Sequence, residues 1–198
     1  LILLKCKFMM SMKSFIRKLR NPKTQEYNIL KEEILSMNFT WTYKGSTDPS
    51  DNIDTNQFTS NPVYQHCIVA GADVNPEFLI PRVESKYAEL VFVAIRQILD
   101  VNNIEYTQIH RCVVNQIHYW DGKPSPPHLD HHTFYHKNCL IYLNSFDKGE
   151  ISLYDEDGEL MESYKPYEDD IVTFDGYNHS VHQCEPMQRR VVIVFTYS

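Results

Sequence analysis

Apolar and polar positions recur with two different periods along this chain, and the change falls near residue 105. In residues 26–37, Ile29, Leu30, Ile34 and Leu35 stand at helical spacing and predict an amphipathic helix. Residues 39–43 (FTWTY) alternate, are aromatic or β-branched, and predict a strand. Residues 45–62 are polar and full of turn formers; they predict a long loop of the kind that often serves as a lid. The strongest helical pattern is residues 84–100, where Ala88, Leu90, Val91, Ala94, Ile95, Ile98 and Leu99 form one stripe and Ser85 is placed to cap it. Such a stripe belongs to a core packed on a sheet.

Beyond that point the period is two. Strands are predicted at 110–119, 138–144, 150–154, 171–174, 179–183 and 190–197. Turn signals separate them at Asp121-Gly122-Lys123-Pro124, Asp147-Lys148-Gly149, Asp157-Gly158 and Asp175-Gly176. Many short strands preceded by helices predict a mainly β, α+β fold: a cupin-like jelly roll, or double-stranded β-helix, buttressed by N-terminal helices. No repeat or linker divides the chain. Residues 1–198 read as a single domain, with 1–100 as helical or mixed support and 105–198 as the jelly-roll core.

Composition narrows the function. The chain is 42% hydrophobic, which excludes a disordered polymer. A net charge of −7 disfavours nucleic-acid partners, although many of the basic residues fall between Lys5 and Lys23. No run approaches the roughly 20 apolar residues of a membrane span. Residues 1–10 are interrupted by Lys5 and Lys7 and lack a small-residue cleavage site, which speaks against a secretory signal. The first residue is Leu, and Met9, Met10 and Met12 remain alternative starts. Cys6, Cys67, Cys112, Cys139 and Cys184 are odd in number and contain no C-x-x-C pair. Buried, reduced thiols in the cytoplasm are therefore expected rather than disulfides or structural zinc.

Seven of the nine histidines lie from His118 to His182, within the β-rich half. His128 and Asp130 are two apart, so an extended strand would present both to one face. On its own, an H-x-D pair is equally a surface turn. A third ligand from His179 or His182 would complete two histidines and a carboxylate, the facial set that leaves positions open on non-haem Fe(II). These two histidines are three apart and cannot both face one ion from a regular strand.

The ordered segments of the C-terminal ninety residues carry a resemblance. They are Asn115–Gly122 (NQIHYWDG), His128-Leu129-Asp130, Leu140–Asn144 (LIYLN), Lys148-Gly149-Glu150, Lys165-Pro166 with Ile171–Phe174, His179-Ser180-Val181 and Arg190–Val194. Together they resemble the Fe(II)- and 2-oxoglutarate-dependent dioxygenase superfamily, in its prolyl 4-hydroxylase-like branch with short members from phage and marine genomes. A glycine that the family has before its Phe segment is missing here.

The resemblance implies a jelly roll with iron held by His128, Asp130 and His179, in preference to His182. It implies a 2-oxoglutarate carboxylate on Arg190, in preference to Arg189, with Tyr142 and Tyr119 as co-substrate-pocket residues. Fe(II), 2-oxoglutarate and O2 would be required, with ascorbate as a further cofactor. A C–H of a peptide, such as a prolyl residue, or of a small molecule would be hydroxylated, releasing succinate and CO2. Two other readings stay open: an inactive jelly-roll binding module, and a cupin-like zinc or manganese enzyme. His131, His132 and His136 are expected as solvated loop residues near the substrate mouth, with 131–137 and 45–62 shaping the entrance.

Overall fold

The computed structural model describes residues 14–45, 61–71 and 81–198. Most of the proposed lid, residues 46–60, and the N-terminal residues 1–13 lie outside the described residues. The elements in chain order are β1 (Arg17–Leu19), α1 (Gln25–Leu35), β2 (Thr42–Lys44), β3 (Val63–Ala70), β4 (Arg82–Val83), α2 (Ala88–Val101) and β5 (Ile109–His118). There follow β6 (Lys137–Tyr142), β7 (Ile151–Tyr154), β8 (Leu160–Tyr164), β9 (Ile171–Asp175), β10 (Asn178–Val181) and β11 (Arg189–Tyr197).

The strands form two antiparallel sheets. The main sheet has the order β1-β9-β6-β11-β5-β3-β2, with β4 also paired to β3; the minor sheet is β10-β7-β8. β6, β11 and β5 lie at the centre of the main sheet, and both faces there are buried. Alternation sends Cys139, Ile141, Val191, Ile193 and Phe195 to one face, where they pack with Leu30 and Ile34 of α1 and Val91, Ile95 and Ile98 of α2. The other face carries Leu140, Tyr142, Val172, Phe174 and Val192, which meet Ile151 and Leu153 of the minor sheet. Among the described residues no helix is long and apolar enough to cross a membrane.

The N-terminal hundred residues supply strands as well as helices. β1 extends the sheet beyond β9, and β3 extends it beyond β5. The period-two pattern conceals β3 because its buried inward position is polar: Gln65 donates to Asn115 Oδ1 at 3.0 Å. Helix α2 starts three residues after the predicted cap. Ser85 instead accepts from the Tyr87 amide at 3.0 Å and meets His66 Nε2 at 2.8 Å. Tyr87 caps α2 with no side-chain bond, whereas Thr24 caps α1 by accepting from the Tyr27 amide.

Candidate metal centre and anion pocket

The site begins with one backbone pairing. The amide of His128 donates to the His179 carbonyl at 3.0 Å, and the amide of His179 donates back to the His128 carbonyl at 3.0 Å. This antiparallel bridge adds the His128 segment to β10 and sets the two side chains directly opposite each other. Ser125 reinforces it, donating its amide to the Val181 carbonyl and accepting the Val181 amide on Oγ. The imidazole centroids stand 4.6 Å apart. Asp130, two residues on, turns to the same place, and one ligand atom from each of His128, Asp130 and His179 lies within 4.8 Å of the others.

Each histidine has its Nδ1 beside the carbonyl two residues earlier, Pro126 at 3.1 Å for His128 and Tyr177 at 3.0 Å for His179. A proton on Nδ1 satisfies that carbonyl and leaves the Nε2 lone pair for an ion. Burial pulls the His179 pKa down to about 4 against the attraction of Asp130, so the ring is neutral at pH 7, the form in which an imidazole can bind an ion. Burial works the other way on Asp130, but nearby His179 and Arg111 outweigh it and hold the carboxyl at about 2. Asp130 Oδ1 accepts from Arg111 Nη1 at 2.8 Å. Its Oδ2 is buried without a partner and stands 3.7 Å from His179 Nε2. An orphaned carboxylate oxygen grouped with two imidazoles fits a divalent cation of the kind held by two histidines and one carboxylate.

A second group of unsatisfied atoms lies on the inner face of the main sheet. Arg190 is 1% exposed, and its Nε and Nη2 have no partner. Its guanidinium carbon lies 5.1 Å from the Tyr142 ring centroid, and the Tyr142 hydroxyl is also buried and unpaired. Burial pushes the Tyr142 phenol up despite the neighbouring charge, which keeps it a neutral donor. Enclosing a guanidinium without a counter-ion is costly, so this pocket is suited to an anion. Gly149 (φ +73°) lets Phe146 and Arg190 pack close to the backbone: a Cβ there would lie 2.5 Å from the Phe146 ring and 3.3 Å from Arg190 Cδ.

The remaining candidates lie elsewhere. His182 is not part of the His128–Asp130 cluster; its Nε2 meets Ser152 Oγ at 3.2 Å. Arg189 is exposed on the opposite face, bonded to Gln116 Oε1 and the Leu35 carbonyl. Tyr119 is 43% exposed and lines a surface groove with His118 and Pro186–Arg189. His132 is exposed, but the expectation of solvated loop histidines fails for His131 and His136, which are buried. The reason is tertiary. His131 Nε2 meets Thr196 Oγ1 at 2.7 Å, and His136 packs so closely on Gly176 that a Cβ there would fall 2.8 Å from its ring.

Three further residues stand near the site, and of these only Phe174 lies in one of the segments that carry the sequence resemblance. Arg111 holds Asp130, and Phe174 packs edge-on against His179 at 5.4 Å. Asn138 is fully buried with neither amide atom paired. Strand register puts Phe174, Asn138, Thr196 and Arg111 in one row across β9, β6, β11 and β5. For Arg111 a signal existed: it is a charged residue in the otherwise apolar and polar-neutral run RCVVNQI of a central strand.

The sequence matches no protein-family profile and no curated protein. The fold has solved counterparts. A crystal structure described as an oxidoreductase of the 2OG-Fe(II) oxygenase family from Burkholderia pseudomallei aligns with a TM-score of 0.67 at 18% identity, over 93% of this chain and 85% of that one. A prolyl hydroxylase from Trichoplax adhaerens, in complex with a hypoxia inducible factor oxygen degradation domain peptide, aligns at 0.60 and 14% identity, over 93% and 84%. The non-heme alpha ketoglutarate dependent epimerase SnoN from nogalamycin biosynthesis aligns at 0.56 and 10% identity, over 92% and 78%. The chain thus has the jelly-roll fold of the 2OG-Fe(II) oxygenase structures.

Proposed function

We propose that this protein is an Fe(II)- and 2-oxoglutarate-dependent oxygenase that hydroxylates a C–H bond of a peptide or small-molecule substrate. The observation that carries the reading is the buried Arg190 guanidinium, its Nε and Nη2 without a partner, beside Tyr142 on the sheet face that also borders the His128–Asp130–His179 cluster. A metal site alone fits many ions; a metal site with an enclosed carboxylate receptor fits a keto diacid.

His128 Nε2, Asp130 Oδ2 and His179 Nε2 would hold the metal. Arg190 would bind the far carboxylate of 2-oxoglutarate through two parallel N–H donors, and Tyr142 would donate to the same group. Iron with 2-oxoglutarate and O2 supplies an oxidant able to break a C–H bond, with release of succinate and CO2. The protein's own part is placement and dryness. The Nδ1 contacts fix both imidazoles, Arg111 fixes the carboxylate, and Leu140, Val172 and Val192 keep water from the interior.

The substrate class is read more coarsely. A peptidyl proline is one candidate, supported by the fold shared with a peptide-bound prolyl hydroxylase. A small molecule is the other. The four described cysteines are unpaired and three are buried, which suits a reducing, cytoplasmic setting that also keeps iron ferrous.

The test is 2-oxoglutarate-dependent succinate formation and O2 uptake with added Fe(II), with ascorbate as an optional reductant, screened over peptides and metabolites. Wild-type protein is expected to turn over, and His128→Ala or Asp130→Ala to fall to the blank rate. Turnover by these variants at the wild-type rate overturns the assignment. Binding of 2-oxoglutarate without turnover would instead indicate a jelly-roll binding module. Zinc- or manganese-supported chemistry independent of 2-oxoglutarate would indicate a cupin-like enzyme.

A further inference from the structure

The three cluster residues are anchored on different parts of the fold. His128 and His179 share a backbone bridge that belongs to the minor sheet. Asp130 is tied by its side chain to the main sheet, through the 2.8 Å bond from Arg111 Nη1 to Oδ1. Arg111 lies on β5 opposite Thr196 of β11, and Thr196 Oγ1 meets the ring of His131, the residue after Asp130. Two consecutive residues of the 130–131 segment are thus fastened to one spot on the main sheet. The Asp130 side chain is 7% exposed and that of Arg111 27%, so water competes weakly for this charge-assisted bond.

We propose that Arg111 is a positioning residue for the metal carboxylate, holding Asp130 to coordination through Oδ2 alone. This rests on the metal-site reading above. The chemical reason is the number of open positions. A carboxylate engaged through one oxygen uses one site on the ion, and with two imidazoles leaves three of six. A carboxylate free to rotate can chelate with both oxygens and close one of the positions that a bidentate keto acid and O2 need. Arginine suits the task because it keeps its charge and its rigid fork at all working pH values.

The experiment is titration of the metal-free protein with Co(II), followed by its visible absorption, for wild type, Arg111→Met and Arg111→Lys. Outer-sphere partners of metal ligands typically contribute 10- to 100-fold in affinity, so Arg111→Met is expected to weaken Co(II) binding by about that factor and to change the visible spectrum. Arg111→Lys is expected to recover part of the affinity, because an ammonium can reach the carboxylate but lacks the fork. Wild-type affinity and spectrum in Arg111→Met, with only a lowered melting temperature, would show a merely structural ion pair and overturn the proposal. Should Arg111→Met fail to fold, Arg111→Lys decides: unchanged binding and spectrum overturn the proposal, weaker binding supports it. If the wild-type chain binds no Co(II), the metal reading itself fails and this inference falls with it. If wild type binds and the variants match it, only the role of Arg111 is lost.

Discussion

The two faces of the main sheet are built from the same strands and obey opposite rules. On the helix side, Cys139, Ile141, Val191, Ile193 and Phe195 are apolar and fully enclosed beneath α1 and α2. On the side facing the minor sheet, the alternate positions of those strands include Asn138, Tyr142, Arg190 and Thr196. Asn138, Tyr142 and Arg190 there have buried polar atoms with no partner, as does Asp130 beside them. Each such atom costs about 1–3 kcal/mol relative to a satisfied one. A fold keeps a deficit of this kind where a ligand will supply the missing bonds. The outer face therefore carries stability, and the inner face carries the unpaired polar atoms on which the proposed ligand binding rests.

Substitutions can break or sharpen that contrast. The largest effect is expected from Arg190→Met. Truncating a buried charge that pairs with a ligand costs about 2–5 kcal/mol, so binding of 2-oxoglutarate should weaken by about 30-fold to several thousand-fold in a calorimetric titration. The same variant should resist denaturant better without ligand, by about 1–4 kcal/mol, because an uncompensated buried charge is gone. A less stable Arg190→Met apoprotein would contradict the assignment of a functional deficit to this face.

Ile193→Ala, one β11 position on the outer face, is expected to lose about 2–5 kcal/mol of unfolding free energy to the cavity it leaves. Its folded fraction should bind 2-oxoglutarate and Co(II) as wild type does. Next in size is Asn138→Leu, which replaces an unpaired amide by a similarly branched apolar group. A gain of about 1–3 kcal/mol in denaturant unfolding is expected, together with a change in substrate-coupled turnover. A loss of stability would mean that the amide is already satisfied. The smallest effect belongs to Arg189→Ala, the neighbour of Arg190 on the other side of the strand. Its exposed contacts should be worth less than about 0.5 kcal/mol, and 2-oxoglutarate affinity should not move.

Legibility varied with the range of the interaction. Most strands after residue 105 were visible because a half-buried strand repeats every two residues: β5, β6, β7, β9, β10 and β11 fall within a few residues of the expected runs, whereas β8, with no buried residue, was not expected. β3 was invisible because it puts Gln65 where the pattern calls for an apolar side chain. Ser85 looked like a helix cap, but His66 from a distant strand shares its hydroxyl and the helix begins later. His131 and His136 looked solvated because nothing local reveals that the segment folds back onto Thr196 and Gly176.

At the site, the spacing of His128 and Asp130 puts both on one face only where the segment is extended, and it is the bridge to His179 that distinguishes this segment from a surface turn. Alternation separates Arg189 from Arg190 without any coordinates. Which arginine turns inward depended on the phase of β11 against β6 and β5, a phase set when Val192 aligns with Tyr142 and Asn115. Which histidine joins the pair depended on the bridge between His128 and His179, across fifty intervening residues. Local periods are written in neighbouring residues, because they express the geometry of a single strand or helix. Register, burial and the partner that holds Asp130 are set between strands far apart in the chain, where only packing of the whole decides which groups meet.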